Sequence, residues 1–309
     1  MRMNVRVFGK DTAIRPCVAT IGSFDGVHLG HQHVIAQVVE LARKRGLDAM
    51  IVTFPNHPKQ VLHPDFSPQL LTTTEEKREL LMKTEANKVA MIDFTEELAQ
   101  MTAREFMHNI LKKQLQTEIL LIGYDNRFGH DGKRFDDYVE YGKEYGIEVV
   151  ECGKWGEAHS STAARNALLA GDIKQANSIL GYSYGFKGVV VEGYQNGRKI
   201  GYPTANLQVE ASKLIPKNGV YLVKTDAGFG MLNIGTRPTL HNGKQRSIEV
   251  HIFDFEHNLY GKSLKIELLE HLRDEREFDS VDRLRRQLAE DEQECRLRIS
   301  KTDLHIQQK

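Results

Sequence analysis

The chain has 309 residues, 40% of them hydrophobic, and its 42 Lys and Arg residues balance 42 Asp and Glu residues. This length allows two domains with separate cores, and the even charge balance gives no overall field that would attract nucleic acid. The longest apolar runs are too short to cross a bilayer and the N-terminus lacks the apolar core of a signal peptide, so we expect a cytoplasmic protein without a membrane partner. The three cysteines are odd in number and widely spaced, which argues against a disulfide framework and against a cysteine zinc site.

The first motif begins where an apolar run of buried-strand type, Cys17 to Ile21, gives way to the segment Gly22 to Gly26. Apolar residues then recur at helical spacing. At such a strand-to-helix junction, free backbone N–H groups and the positive end of the helix dipole favour an anion. His28 and His31 lie three residues apart with Gly30 between them, so their imidazoles would donate hydrogen bonds to a phosphate that approaches the backbone closely.

Two other interpretations of these histidines remain open at this point. They would be ordinary helix-capping or surface groups, or His28, His31 and His33 would bind zinc. The glycine-rich surroundings and the lack of a nearby cysteine weaken the zinc interpretation, and His33 would point away from the other two side chains.

Strand-like and helix-like segments alternate through the first half of the chain. Beyond the first strand, strands are predicted at residues 49–54, 88–92, 118–122 and 149–152, and helices at 74–83, after Thr102 and at 138–145. Because consecutive parallel strands need a crossover, this alternation predicts an α/β doubly wound parallel sheet with helices on both faces. Thr72 and Thr73 each precede a glutamate by three residues, which predicts a duplicated capping box.

Polar segments of this half supply further candidates for ligand contact. The segment PNHPKQ follows the second predicted strand, GYDNRFG follows the fourth, and HSST opens a helix. Open α/β sheets bind ligands at the carboxyl ends of their strands, and a helix N-terminus would clamp phosphates. The side chains concerned are His57, Asp125, Arg127, Ser161, Thr162 and Arg165. Plain turns and an ordinary capped helix would explain the same patterns.

The pattern changes near Gly181. Short β-type runs follow one another at 186–191, 219–225, 229–234, 247–253 and 264–269, separated by glycine and proline turns and without helices between them. This spacing predicts an antiparallel β-barrel, with domain boundaries at 1–182 and 183–309. After the barrel, a C-terminal helix is predicted from a stripe at helical spacing that comprises Val281, Leu284, Leu288 and Cys295.

A second group of polar residues lies within the predicted barrel. In GRKIGYPTANL, Thr204 and Asn206 follow a proline on a rigid turn, where they would bind Mg²⁺ or a phosphate chain. In SIEVHIFDF, Glu249 alternates with apolar residues and faces away from them, so it would accept a proton from a substrate hydroxyl. An ordinary turn and a water-facing acid are the alternatives.

Taken in order, these segments closely resemble the bacterial bifunctional riboflavin kinase/FAD synthetase family over nearly the whole chain. The motifs TIGSFDGVHLGH, TFPNHP, GYDNRFG and SST-x-x-R resemble its adenylyltransferase half, and GYPTAN, NIGTRPT, IEVHIFDF, LYGKSL and LRDEREF its flavokinase half. The resemblance implies that the C-terminal half phosphorylates riboflavin to FMN with ATP, releasing ADP. The N-terminal nucleotidyltransferase half would then join FMN to AMP from a second ATP, giving FAD and pyrophosphate.

The resemblance also implies roles for single residues, with Mg²⁺ used in each half. His28 and His31 would neutralise charge at the α-phosphate, and Glu249 would be the general base of the kinase. Thr204 and Asn206 would position Mg²⁺. The nucleotide- or flavin-binding residues would be Gly22, Phe24, Asp25, Gly30, His57, Asp125, Arg127, Ser161, Thr162, Arg165, Gly201, Thr204, Asn206 and Arg273. The oligomeric state stays open.

The chain departs from the family pattern at some positions. His159, Ala163 and Ala164 replace the family's residues around the SST motif, which removes one basic phosphate contact, and Asn126 stands where the family has an aromatic residue. These departures support an alternative in which the adenylyltransferase half has decayed and the chain makes FMN only. The presence of both His28 and His31 weighs against it.

Overall fold

We describe the protein from a computed structural model, which covers residues 3–55, 69–123, 126–153, 159–193, 196–239 and 243–306. The candidates His57 and Asp125 lie outside these residues. The chain divides into two units, Met1–Ser161 and Thr162–Lys309. Within the described ranges, no helix combines the length and the apolar character needed to cross a bilayer.

A mixed sheet forms the centre of the first unit. Its strands are β1 (Val5–Gly9), β2 (Cys17–Ile21), β3 (Asp48–Thr53), β4 (Lys88–Ile92), β5 (Thr117–Gly123) and β6 (Glu148–Cys152). Their spatial order is β1-β4-β3-β2-β5-β6. Strands β2 to β6 run parallel, as predicted, whereas β1 was not predicted and pairs antiparallel with β4 at the edge. From the central β2, the chain first adds β3 and β4 on one side and later adds β5 and β6 on the other. The switch point, where the direction of strand addition reverses, therefore lies between β2 and β5.

Helices cover both faces of this sheet, which confirms the predicted fold class. They are α1 (Leu29–Arg45), α2 (Thr74–Met82), α3 (Glu96–Ala99), α4 (Ala103–Phe106), a π-helix (Met107–Lys112) and α5 (Phe135–Tyr145). On one face, Ile35 of α1 and Leu81 of α2 share a core cluster with Ile51 of β3. On the other face, the helices from α4 to α5 pack on alternate residues of the same strands, such as Ala19 and Met50.

The structure corrects two local predictions. The helix predicted after Thr102 is α-helical for one turn and then becomes a π-helix. The capping box of α2 belongs to Thr73 and Glu76 alone. The Thr72 hydroxyl instead contacts the Asp25 carboxylate at 3.1 Å and accepts a hydrogen bond from the Gly26 N–H.

The second unit contains a closed antiparallel barrel with helices before and after it. Its elements are α6 (Ser161–Ala170, starting at the unit boundary), α7 (Ile173–Leu180), β7 (Gly185–Val191), α8 (Asn196–Lys199), β8 (Ala205–Val209), β9 (Gly219–Thr225), β10 (Gly228–Thr239), β11 (Gly243–Ile252), β12 (Ser263–Arg273) and α9 (Val281–Ile306). The barrel order is β10-β11-β8-β7-β12-β9, closed by the pairing of β9 with β10. Asn206, which was predicted on a turn, lies in β8.

Helices at both ends of this unit pack on the barrel. The Leu168 carbonyl of α6 accepts from the Lys217 N–H at 3.1 Å, and Asn177 of α7 donates to the Leu268 carbonyl at 3.0 Å. The structure divides the chain after Ser161, and the domain boundary predicted at residue 182 stays a prediction. In α9, Cys295 is fully buried in a cluster with barrel residues, as its place in the predicted stripe requires, but Val281 is 58% exposed and does not belong to that face.

Candidate functional sites

The segment that follows β2, here called the glycine loop (Gly22–His28), lies at the switch point of the sheet. The Gly22 N–H donates to the Val52 carbonyl of the neighbouring strand at 3.1 Å. Phe24 and Val27 adopt left-handed φ values of 48° and 38°, although neither is a glycine, and both are 2% exposed. Such backbone strain is costly and concentrates at functional sites.

Phe24 was expected to contact a ligand, and the structure gives it a different position. Its ring is buried in the cluster beneath α1 and meets the His31 ring edge-on, with 5.0 Å between centroids. Phe24 therefore supports His31 from below, and its ligand contact stays a prediction.

Asp25 joins three segments that are far apart in the sequence. Its carboxylate, 5% exposed, accepts from the backbone N–H groups of Leu71 and Thr72 at 3.1 and 3.0 Å. Its backbone carbonyl accepts from the Ser161 hydroxyl at 2.8 Å. The described contacts of Asp25 hold the glycine loop against the neighbouring segments, and its ligand-binding role stays a prediction.

His28 and His31 are brought together at the start of α1. His28 is the N-cap, and its Nδ1 accepts from the His31 N–H at 3.3 Å, so the ring proton resides on Nε2. The two rings stack with 3.6 Å between centroids. Burial lowers the pKa of His31 well below its ordinary value, and electrostatic repulsion from His28 and Lys77 lowers it further. His31 is therefore a neutral imidazole at pH 7, and its buried Nδ1 has no hydrogen-bond partner among the described residues.

Gly30 is a glycine for a reason other than the one expected. A Cβ atom there would lie 2.9 Å from the His159 carbonyl oxygen and 3.1 Å from the His28 ring. The missing side chain thus makes room for the protein's own His28 and residue 159.

Lys77 of α2 was not identified from the sequence. It is 5% exposed, and its Nζ donates to the Phe54 carbonyl just beyond β3 at 2.7 Å. Burial lowers the pKa of Lys77 from 10.5 to about 8, and the charge of Asp25 offsets part of that effect. The charged run TEEKRE suggests an exposed helix face. Lys77, however, lies four residues before the buried Leu81 and therefore on the same face of the helix, and this spacing is the sequence signal that indicates its burial.

The loop after β5 approaches the glycine loop from the other side of the switch point. Asn126 donates through its side chain to the carbonyl of Ile21, the last residue of β2. This contact gives Asn126 a bridging role where the family has an aromatic residue. The Arg127 side chain is exposed and contacts the Asn126 carbonyl at 2.8 Å, which leaves it on the surface at the expected edge. Thr162 and Arg165 follow Ser161 in α6, and their ligand contacts stay predictions.

The barrel contains the second group of functional candidates. Glu249 of β11 lies opposite Asn206 of β8 in the strand register, and its Oε2 is 3.3 Å from the Thr204 hydroxyl. Its neighbours Ile248 and Val250 are buried, so Glu249 faces away from the apolar side as predicted. His251, two residues further on this face, has Nδ1 2.8 Å from the Pro203 carbonyl oxygen and holds the turn that carries Thr204.

Glycines let the surrounding turn approach these residues. A Cβ at Gly197 would lie 2.1 Å from the Tyr202 carbonyl oxygen, and one at Gly193 would lie 2.1 Å from Nδ2 of Asn206. Gly201 has a left-handed φ of 87° and open space where a side chain would be. The turn between α8 and β8 is therefore shaped by glycine, which explains the GRKIGYP pattern.

Thr204 lines two cavities. One has a volume of about 280 Å³, a largely apolar lining and both Glu249 and Arg273 in its wall. The other, of about 80 Å³, is lined by Arg198, Thr204 and the segment 257–260. Thr204 is therefore placed to contact the occupant of either cavity.

Arg273 is largely engaged within the protein. Its guanidinium forms a two-pronged ion pair with Asp291 of α9, with Nη2 to Oδ2 at 2.7 Å and Nε to Oδ1 at 2.9 Å. Asp291 is 5% exposed and also accepts from Gln287 at 3.0 Å. Arg273 thereby fastens α9 to the barrel beside the larger cavity, and its ligand contact stays a prediction.

Three side chains of the barrel site offer oxygen ligands. Thr204, Asn206 and Glu249 offer a hydroxyl, an amide and a carboxylate, which suit a hard divalent cation held together with substrate phosphates. No cluster of three or more His, Cys, Asp or Glu side chains suited to a metal occurs in the described parts of the chain. His33, the third member of the zinc interpretation, pairs with Gln37 at 2.7 Å instead.

Comparison with known proteins adds independent findings. Family profiles match residues 10–164 (FAD synthetase) and residues 180–299 (riboflavin kinase). Among proteins described as bifunctional riboflavin kinase/FMN adenylyltransferase, that of Listeria monocytogenes is 36% identical over 93% of both chains. That of Escherichia coli K12 is 36% identical over 89% of this chain and 90% of its own length. A crystal structure described as a macrolide-efflux protein from Streptococcus pneumoniae has a TM-score of 0.83 and 33% identity, covering 93% of this chain and 96% of that one.

Proposed function

The chain belongs to the bifunctional riboflavin kinase/FMN adenylyltransferase family, and from this premise we propose which residues perform each reaction. It phosphorylates riboflavin to FMN with ATP, and it then transfers AMP from a second ATP to FMN to give FAD. Both family profiles match, so the alternative of a monofunctional riboflavin kinase finds no support. We propose residues 1–182 and 183–309 as the two domains, a cytoplasmic location where ATP is available, and ADP and pyrophosphate as by-products.

In the adenylyltransferase half, alignment and charge stabilisation replace acid–base chemistry. The FMN phosphate is already an anion, so it attacks the α-phosphorus of ATP without a base, and the bond to the pyrophosphate oxygen breaks. The neutral rings of His28 and His31 would donate hydrogen bonds to the α-phosphate. Thr162 and Arg165 would hold the triphosphate, and His57, Asp125 and Arg127 would contact nucleotide or flavin.

In the kinase half, the two cavities suggest a place for each substrate. The larger, mainly apolar cavity suits the flavin ring, and the smaller one suits the nucleotide. Glu249 would accept the proton of the terminal ribityl hydroxyl while that oxygen attacks the γ-phosphorus, and ADP leaves. Thr204, 3.3 Å from the carboxylate, would orient it.

The family's ATP chemistry generally requires a divalent metal ion, and we propose Mg²⁺ in both halves. In the kinase half, Thr204 and Asn206 would hold it together with the nucleotide phosphates, because their oxygens are hard ligands. Bound there, Mg²⁺ would neutralise phosphate charge during transfer.

The observation that supports this assignment best is the placement of Glu249 beside Thr204, which lines both cavities. The test is to incubate the full chain with riboflavin, ATP and Mg²⁺ and to separate the flavins. We expect FMN and FAD, and the absence of both would refute the enzyme assignment.

Matched variants then assign the residues. Glu249→Gln should lose about 10²- to 10⁴-fold in riboflavin phosphorylation yet convert supplied FMN to FAD normally. The double variant His28→Ala/His31→Ala should stop at FMN. If Glu249→Gln phosphorylates riboflavin at the normal rate, Glu249 is not the base.

A further inference from the structure

Lys77 occupies the same position relative to the sheet as His31, on the neighbouring helix. Ile35 of α1 and Leu81 of α2 pack in one cluster on the same face of the sheet. His31 precedes Ile35 by four residues, and Lys77 precedes Leu81 by four, so each lies one turn closer to the N-terminus of its helix. Both side chains thus reach the carboxyl edge of the strands, where Lys77 contacts the carbonyl of Phe54 at 2.7 Å.

The contacts of α2 bring its N-terminal end against the glycine loop. Thr72, just before the Thr73 cap, bonds to the Asp25 carboxylate and to the Gly26 N–H. The positive end of α2 therefore faces the same place as the positive end of α1, which begins at His28. The charge of Lys77 is near enough to lower the pKa of His31.

The ammonium group of Lys77 is buried without a matching anion. It is 5% exposed, and among the described residues its hydrogen-bond partner is one uncharged carbonyl. The Asp25 carboxylate acts on it electrostatically, but its own described hydrogen bonds go to residues 71 and 72. Burying a charge in this way is costly unless an anion completes the site. His31, whose pKa the charge of Lys77 lowers, also has a buried Nδ1 without a partner among the described residues, which points to the same conclusion.

We propose that Lys77 is a further catalytic residue of the adenylyltransferase site, whose ammonium binds the phosphates of ATP that leave as pyrophosphate. This rests on the proposed function of the N-terminal half. When the FMN phosphate oxygen bonds to the α-phosphorus, the electron pair of the breaking P–O bond goes to the pyrophosphate. The negative charge that grows on the leaving group is where a buried cation stabilises the transition state more than the ground state.

The test uses both directions of the reaction with the full chain and its variants Lys77→Met and Lys77→Arg. In the forward direction, FMN and ATP are supplied, and in reverse, FAD and inorganic pyrophosphate. We expect Lys77→Met to lower kcat for FAD formation by about 10²-fold and to raise KM for pyrophosphate, with KM for FMN nearly unchanged. Lys77→Arg keeps the charge and should recover much of the loss.

Riboflavin phosphorylation by the same preparations shows that each variant is intact in its other half. An unchanged KM for pyrophosphate in Lys77→Met would overturn the proposal. An equal rise in KM for FMN and pyrophosphate would also overturn it, because it would indicate a general loss of structure. If the unmodified chain forms neither FAD nor, in reverse, FMN, the proposed function itself fails.

Discussion

Replacing Lys77 by methionine should make the N-terminal unit more stable while its activity falls. Burial lowers the pKa of Lys77 from 10.5 to about 8. At about 1.4 kcal/mol for each tenfold change in proton affinity, keeping this buried group charged at pH 7 costs about 3 kcal/mol. The variant also loses the hydrogen bond to the Phe54 carbonyl, which lowers its free energy of unfolding by about 1 kcal/mol. We therefore expect Lys77→Met to raise the free energy of unfolding by about 2 kcal/mol at pH 7.

The gain should depend on pH in a definite direction. Because the pKa of Lys77 is lower in the folded protein, the unfolded chain binds more protons between about pH 8 and 10.5, and the natural protein gains stability as pH rises through this window. The advantage of Lys77→Met should therefore shrink from pH 7 to about pH 10.

The measurement is urea unfolding of the full chain, followed by circular dichroism. Lys77→Arg is the matched control, since it keeps the buried charge and should gain nothing. If Lys77→Met is less stable than the natural protein at pH 7, then Lys77 is an ordinary structural residue and the reasoning is wrong.

Three further outcomes follow from the contacts described above. FAD formation from supplied FMN should decline as pH rises through about 8, where Lys77 loses its proton, and a rate that stays constant to pH 9 would contradict this. Gly30→Ala should lower FAD formation by about 10²-fold and spare the kinase, because the added methyl would displace His28; unchanged FAD synthesis would refute that reason. Asp291→Asn leaves Arg273 buried beside a neutral partner and should cost about 3–5 kcal/mol in thermal unfolding, with glutamate at 291 as the charge-preserving control.

The sequence predicted the fold best where the apolar periodicity and the glycine or proline turns indicated the same element boundaries. The strand Cys17–Ile21 has the predicted bounds, because its apolar run ends at a glycine. The edge strand Val5–Gly9 escaped prediction because it pairs on one side only and its burial is partial. The strand Ala205–Val209 was not predicted, because the proline turn directly before it favours the prediction of a loop.

Within the candidate sites, residue types were easier to predict than their partners. The position of Glu249 on the polar side of its strand followed from a period of two, which is a local property. The engagement of Asp25 with Leu71 and Thr72, and of Arg273 with Asp291, depends on tertiary contacts that no local pattern encodes. Lys77 was overlooked for a different reason: a lysine in a charged helix is usually exposed, and its spacing from Leu81 was not weighed against that expectation.

The contacts of Asp25 also bear on how the protein is made. Its described partners end at Ser161, so the framework of the glycine loop has been synthesised before any barrel strand leaves the ribosome. The kinase cavity instead needs Arg273 and the helix that begins at Val281, which are among the later parts of the chain. Because domains generally fold as they emerge, the framework of the half that acts second on the flavin is completed first during translation.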